Sequence, residues 1–120
     1  MAASVIKKMK LSGNSGSFTP ESGVTISELR IRQTGDVIEV HFYATLSTAL
    51  STSQVTLGTV SGVSLPPANI RTMAGGGAAA YNADKPIYAA ITSAGKVNVT
   101  NVSGHSGITV VVFDIVYTVD

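Results

Sequence analysis

The chain has 120 residues, 44% of them apolar and only 12% charged, with a formal net charge of +1. That length suits one domain with one full core and leaves no room for a second. The small charge argues against nucleic acid as a partner, since neutralising a phosphate backbone takes clustered Lys and Arg. The absence of cysteine excludes disulfides and thiolate metal sites.

Val, Ile and Thr together number 37, while Leu, Glu and Lys are scarce. β-branched residues suit pleated, half-buried surfaces better than helices, so the composition predicts an all-β chain. No apolar run reaches the ~18 residues of a membrane span, because Asp114 interrupts the only candidate, and no membrane insertion is expected. Residues 1–11 are basic but lack an apolar stretch of signal-peptide length, so the chain reads as soluble and without an export signal. The mean hydropathy of +0.32 is high for a small monomer. Part of the apolar excess is therefore expected to be buried against partners.

Taken in order, residues 3–11 suggest a short first strand, with Val5, Met9 and Leu11 on one side. Lys7, Lys8 and Lys10 suit a strand edge or an arm, where charge blocks unwanted pairing. Residues 12–17 are a Gly/Ser-rich linker, Phe18 reads as an anchor after it, and Pro20 to Gly23 reads as a turn. The first 23 residues are thus a strand or arm with its linker, and residues 24–120 form the domain proper.

Residues 24–33 change parity: Val24 and Ile26 share one face, Leu29 and Ile31 the opposite one. A bulge near Ser27 and Glu28 restores a single apolar face. Thr34-Gly35-Asp36 forms a hairpin loop of three to five residues, with Gly35 in its left-handed position. It leads into residues 37–46, where Ile38, Val40, Phe42, Ala44 and Leu46 alternate with outward Glu39, His41, Tyr43 and Thr45. Residues 47–53 read as a loop and 54–60 as a weaker strand with Val55 and Leu57 inward. Leu65-Pro-Pro67 cannot lie in a central strand, because two imino residues remove ladder donors. Residues 66–85 then form the least regular segment. Its Gly75-Gly-Gly77 run marks either a flexible loop tip or a close approach of backbones, and a short strand near residues 78–81 stays open.

A second hairpin follows, with Ile87, Ala89 and Ile91 inward and Val97 and Val99 returning. Its Ile91-Thr-Ser-Ala-Gly95-Lys-Val97 echoes Ile31-Arg-Gln-Thr-Gly35-Asp-Val37, the same turn solution used twice. The last stretch organises the rest. Val111, Phe113, Ile115, Tyr117 and Val119 share one face, and Ile108, Val110, Val112, Asp114 and Val116 the other. A strand apolar on both sides is either covered twice within a sandwich or meets another copy of the chain. Asp114 is the exception: its side chain is expected to reach a rim or to accept hydrogen bonds from a neighbouring loop, and a buried carboxylate would need a partner such as Arg30, Arg32 or Lys96. Seven to nine strands at this spacing indicate an antiparallel β-sandwich with a jelly-roll-like layout.

The residues identify no reaction. His41 and His105 have no third ligand at metal spacing, the seven carboxylates stand singly, and neither a Gly-x-Ser-x-Gly elbow nor a phosphate loop occurs. No catalytic residue, metal or cofactor is expected, and the chain is not read as an enzyme.

The layout Leu65-Pro-Pro67, then Pro86-Ile-Tyr-Ala-Ala-Ile-Thr-Ser-Ala-Gly-Lys-Val-Asn-Val99, then Val111-Val-Phe-Asp-Ile-Val-Tyr-Thr-Val119 resembles the C-terminal β-sandwich domains of bacteriophage tail-tip, baseplate and fibre proteins, over roughly residues 24–120. The Gly-Tyr-Arg-Pro-like element usual after the Leu-Pro turn is here Ala68-Asn-Ile-Arg71, which retains only the arginine. The resemblance implies a homotrimer in the virion, at the tail or capsid surface, made in the host cytoplasm. It implies binding to a host cell-surface saccharide or protein and contact with other virion proteins. A capsid decoration or head-fibre protein, or a bacterial carbohydrate-binding surface domain, are the alternatives. If a ligand is bound, Arg71 offers a fork of donors, Tyr81 an aromatic face, and Asn82 and Asp84 groups suited to sugar hydroxyls. The outer valines Val110, Val112 and Val116 are the candidate oligomer contacts.

Overall fold

The alternation in the sequence becomes a single antiparallel sheet, described by a computed structural model over residues 16–77 and 85–119. Eight strands lie among the described residues: β1 (Ser17–Pro20), β2 (Val24–Thr34), β3 (Val37–Leu46), β4 (Val55–Ser61), β5 (Ile70–Gly77), β6 (Lys85–Ile91), β7 (Lys96–Asn101) and β8 (Val110–Thr118). They are ordered β1-β4-β7-β6-β5-β8-β3-β2. The sheet curls until its two edges, consecutive in sequence, come together. Across that seam the Gly16 amide donates to the Ile31 carbonyl at 3.1 Å. The result is a sandwich that is nearly a barrel, filled by the inward residues of every strand.

Aromatic contacts join the two halves. Phe18 of β1 meets Phe42 of β3 edge-on at 4.6 Å between centroids, and Phe42 lies 5.1 Å from Phe113 of β8. Ile31, Ile38, Val40, Leu57, Ile87, Ile91, Val97 and Ile115 complete the core around them. Residues 17–20, read from the sequence as linker and turn, pair with β4 in the register Phe18↔Val60. The segment of residues 1–15 lies outside the described residues.

The expected bulge is present, with a register shift between Ile26 and Glu28. Both hairpins turn on a glycine in the left-handed region, Gly35 at φ 60° and Gly95 at φ 84°. The first is tighter than expected: Thr34 pairs with Val37 directly, so only Gly35 and Asp36 form the loop.

The segment read as irregular contains β5. Its triple glycine is neither loop nor tip, because Gly75 and Gly76 pair with β6 on one side while Gly75, Gly76 and Gly77 pair with β8 on the other. These three residues are the ones through which β5 joins β8, and with it the β8-β3-β2 side of the sheet. A Cβ on Gly76 would stand 3.0 Å from Ile108 Cγ2 and 3.0 Å from the Lys85 carbonyl oxygen. Close approach is therefore the reading that holds, and the glycines leave room for isoleucines from neighbouring segments. The strand considered near residues 78–81 lies outside the described residues.

β8 has the inward face expected: Val111, Phe113, Ile115 and Tyr117 are buried. Its other face is open, with Val112 half-buried and Val116 61% exposed. Val110 departs from the expectation. It is only 2% exposed within the single chain, so its side chain has little surface to offer a second copy. Asp114 reaches the surface, as the rim reading expects, and its partner is none of the three basic residues considered for a buried carboxylate. The register of β3 on β8 sets His41 opposite Asp114, and His41 Nδ1 lies 2.6 Å from Asp114 Oδ1.

Candidate functional site

Antiparallel strands sort their connections to two ends of the sandwich. One end holds the Gly35–Asp36 turn, the 62–69 and 92–95 connections, and the entry of the chain into β1. The opposite end holds residues 21–23, 47–54 and 102–109, and receives the connection that leaves β5 at Gly77.

The entry end is knitted by side chains. Gln33 Nε2 donates to Ser64 Oγ and to the Gly35 carbonyl, each at 3.0 Å, and its Oε1 accepts the Ser64 amide at 2.9 Å. Tyr117 donates its hydroxyl to the Ser64 carbonyl at 2.6 Å. Burial around this phenol raises its pKa above the usual tyrosine value.

The far end combines backbone bonds with a side-chain network around Asn101. The Leu46 and Leu50 amides donate to the Thr109 and Ile108 carbonyls at 2.7 and 2.9 Å, and the Thr109 amide to the Gly77 carbonyl at 2.9 Å. Asn101 at the end of β7 shapes the loop that follows. Its Nδ2 donates to the His105 carbonyl at 2.7 Å, and its Oδ1 accepts both the amide and the hydroxyl of Ser103. His105 is thereby displayed at the surface. Buried Leu50 divides two depressions here. One of about 320 Å³ lies over Ser22, Ser47, Thr48 and Val55, and one of about 270 Å³ over Thr52, Gly104, His105 and Ser106. Hydroxyls, carbonyls and one imidazole around small apolar floors suit hydrogen bonding to a polyhydroxylated ligand.

The expected ligand residues do not all belong to this end. Tyr81, Asn82 and Asp84 lie outside the described residues, in the connection that begins after Gly77. Arg71 is near the opposite end of β5, six residues before Gly77 and thus roughly 20 Å away along the strand. It faces outward on the flank of the sandwich, where a hollow of about 180 Å³ is lined by Gln54, Arg71, Tyr88, Asn98 and Thr100. The four positions other than Arg71 were not singled out in the sequence, although the outward parity of Tyr88 and Asn98 is legible there. Among the described residues no three of His, Asp and Glu gather to share a metal ion. Neither histidine ring is hydrogen-bonded to a hydroxyl among them, the pairing that an activated Ser or Thr nucleophile uses.

No protein-family model matches the chain, and no curated protein matches it. Solved structures do. The head domain of lactococcal phage bIL170, described as a receptor-binding domain, is similar with a TM-score of 0.65 at 20% identity, over 87% of this chain and 98% of that one. The receptor-binding protein of Listeria phage PSA is similar with a TM-score of 0.64 at 18% identity, over 99% of this chain and 73% of that one. The nearly closed eight-stranded sandwich is thus a fold that this chain shares with receptor-binding proteins of two bacteriophages.

Proposed function

We propose that the chain is a non-enzymatic receptor-binding module of a bacteriophage tail, which attaches the virion to a saccharide on the host surface. The observation that carries this reading is the similarity to the bIL170 head domain, which spans nearly all of that domain. The division of labour between the two ends agrees with it. The chain enters at the knitted end, so attachment through that end leaves the loops of residues 47–54 and 102–109 outermost. Binding residues carried on loops over a rigid scaffold are the usual arrangement, and Tyr81, Asn82 and Asp84 are proposed as ligand residues on their chemistry. Arg71 belongs to the flank.

The module acts as a homotrimer in this reading, with Val112 and Val116 on the open face of β8 against a second copy. The test is adsorption of the labelled, purified protein to a panel of bacteria that starts with lactococcal and Listeria strains. Saturable adsorption that is lost on removing surface polysaccharide is expected. Absence of adsorption throughout the panel, with tight binding to phage capsids instead, would replace this reading by that of a capsid decoration protein.

A further inference from the structure

The hollow on the flank is built by three strands. Arg71 of β5 pairs with Ala90 of β6, Ala90 with Asn98 of β7, and Asn98 with Thr56 of β4. Along this rung two polar side chains are separated by a residue that has only a methyl group. Arg71 and Asn98 stand two strand spacings apart, about 10 Å, and Ala90 forms the floor between them. On the next rung Tyr88 pairs with Thr100, which places an aromatic ring and a hydroxyl beside the same floor.

Asn98 is the residue that asks for a ligand. It is only 8% exposed, although its outward parity puts it on the solvent side of the sheet. Its Oδ1 accepts the Thr56 hydroxyl at 2.7 Å. Its Nδ2 has no acceptor among the described residues, yet it is not sealed among the buried, unpaired atoms. A largely buried amide donor left open to a hollow calls for an acceptor from outside. Arg71 makes no ion pair among the described residues, and no carboxylate lines the hollow. One fixed positive charge with no counter-charge favours an anion, which a guanidinium binds through two parallel hydrogen bonds.

We propose that the hollow between Arg71 and Asn98 binds one sugar ring that carries an acidic group. The acidic group lies on Arg71, ring hydroxyls accept from Asn98 Nδ2 and exchange hydrogen bonds with Thr100 and Gln54, and the C–H face of the ring rests on Tyr88. At about 180 Å³ the hollow is smaller than the ~300 Å³ at which small-molecule sites begin, so it holds a single unit of a polymer. The site rests on the receptor-binding reading for its natural ligand, an acidic unit of a host polysaccharide, but its chemistry stands on these residues alone.

The experiment is a titration of isotope-labelled protein with glucose 1-phosphate, glucuronate and glucose at millimolar concentration, followed by nuclear magnetic resonance. Both acidic probes should move the side-chain amide of Asn98 and the Nε–H of Arg71, and glucose should bind roughly tenfold more weakly, for want of the charge-assisted pair. Arg71→Ala should abolish the preference for the acidic probes. Asn98→Asp, which replaces the donor by a negative acceptor, should abolish binding of all three. Equal binding of glucose, an unchanged preference in Arg71→Ala, movement confined to the loops, or no movement at all would each overturn the proposal. Arg71 is exposed, so that variant keeps its fold and the test stands if Asn98→Asp unfolds. Adsorption to host cells separates the two readings. Arg71→Ala that adsorbs as well as wild type leaves the receptor-binding function standing and removes this site, whereas sugar binding on the flank without adsorption to any strain does the reverse.

Discussion

His41 and Asp114 face each other across β3 and β8, with 2.6 Å between ring nitrogen and carboxylate oxygen, on a sheet face otherwise marked by open valines. The carboxylate is 71% exposed and the imidazole 23%. In water such a pair contributes little, because solvent screens it and two side chains must be held in place. Asp114→Asn is therefore expected to change the unfolding free energy of dilute protein by less than about 1 kcal/mol. Urea denaturation measures it. A loss of several kcal/mol would mean that the pair is covered, as it is when a second copy lies over this face.

Assembly itself is tested two residues away, at Val116 on the same face. Light scattering at micromolar concentration should give three chains per particle. Val116→Asp should give a folded monomer, since a desolvated, unpaired carboxylate at an interface is strongly unfavourable. A mutant that is still trimeric would show that the open face of β8 is not the contact.

Tyr117 links the last strand to the 62–69 connection, and its raised pKa has a definite consequence for alkaline stability. The folded state holds the phenolic proton more tightly than the unfolded chain does. The contribution is therefore complete below the unfolded value of about 10 and is lost as pH rises above it. Thermal melts from pH 8 upward should show a decline beginning near that value. Tyr117→Phe should flatten the decline and cost about 1 kcal/mol at neutral pH through the lost hydrogen bond. An unchanged alkaline profile in that variant would assign the decline to other groups.

At Gly76 two effects oppose each other. Replacing glycine by alanine restricts the unfolded chain, a gain of about 0.4–1 kcal/mol where the native conformation allows it. Here the new methyl would stand 3.0 Å from both Ile108 Cγ2 and the Lys85 carbonyl oxygen, and a strand carbonyl has little freedom to move. Overpacking of this kind costs about 1–3 kcal/mol, so the net effect of Gly76→Ala is a loss. Calorimetry of the variant checks the sign, and a raised melting temperature would show that the packing around Gly76 is looser than these contacts imply.

What could be read in the sequence was what alternation records. β3 runs from Val37 to Leu46 as expected, the bulge falls between Ile26 and Glu28, and Phe113, Ile115 and Tyr117 are on the inward face of β8. β5 was missed because its buried positions are Ala74, Gly76 and Gly77, which carry almost no hydrophobic signal. Their space is filled by Ile87 and Ile108 from elsewhere in the chain. The partner of Asp114 was missed for a related reason. Arg30, His41 and Asp114 share one rung, and only the order of the strands decides that histidine stands between the other two. The flank hollow depends on Ala90 falling between Arg71 and Asn98, a coincidence of three strands with no local pattern.

The entry of the chain at one end and the loops at the other also set the direction of mechanical load. A pull between Gly16 and the far loops acts along the strands, at right angles to the ladder hydrogen bonds. β1 then slides against β4 and its bonds are strained together, whereas a pull across the sheet would open them one after another like a zip. A short four-residue strand at the seam can thus resist drag better than its length suggests, provided the load enters through the residue that precedes it.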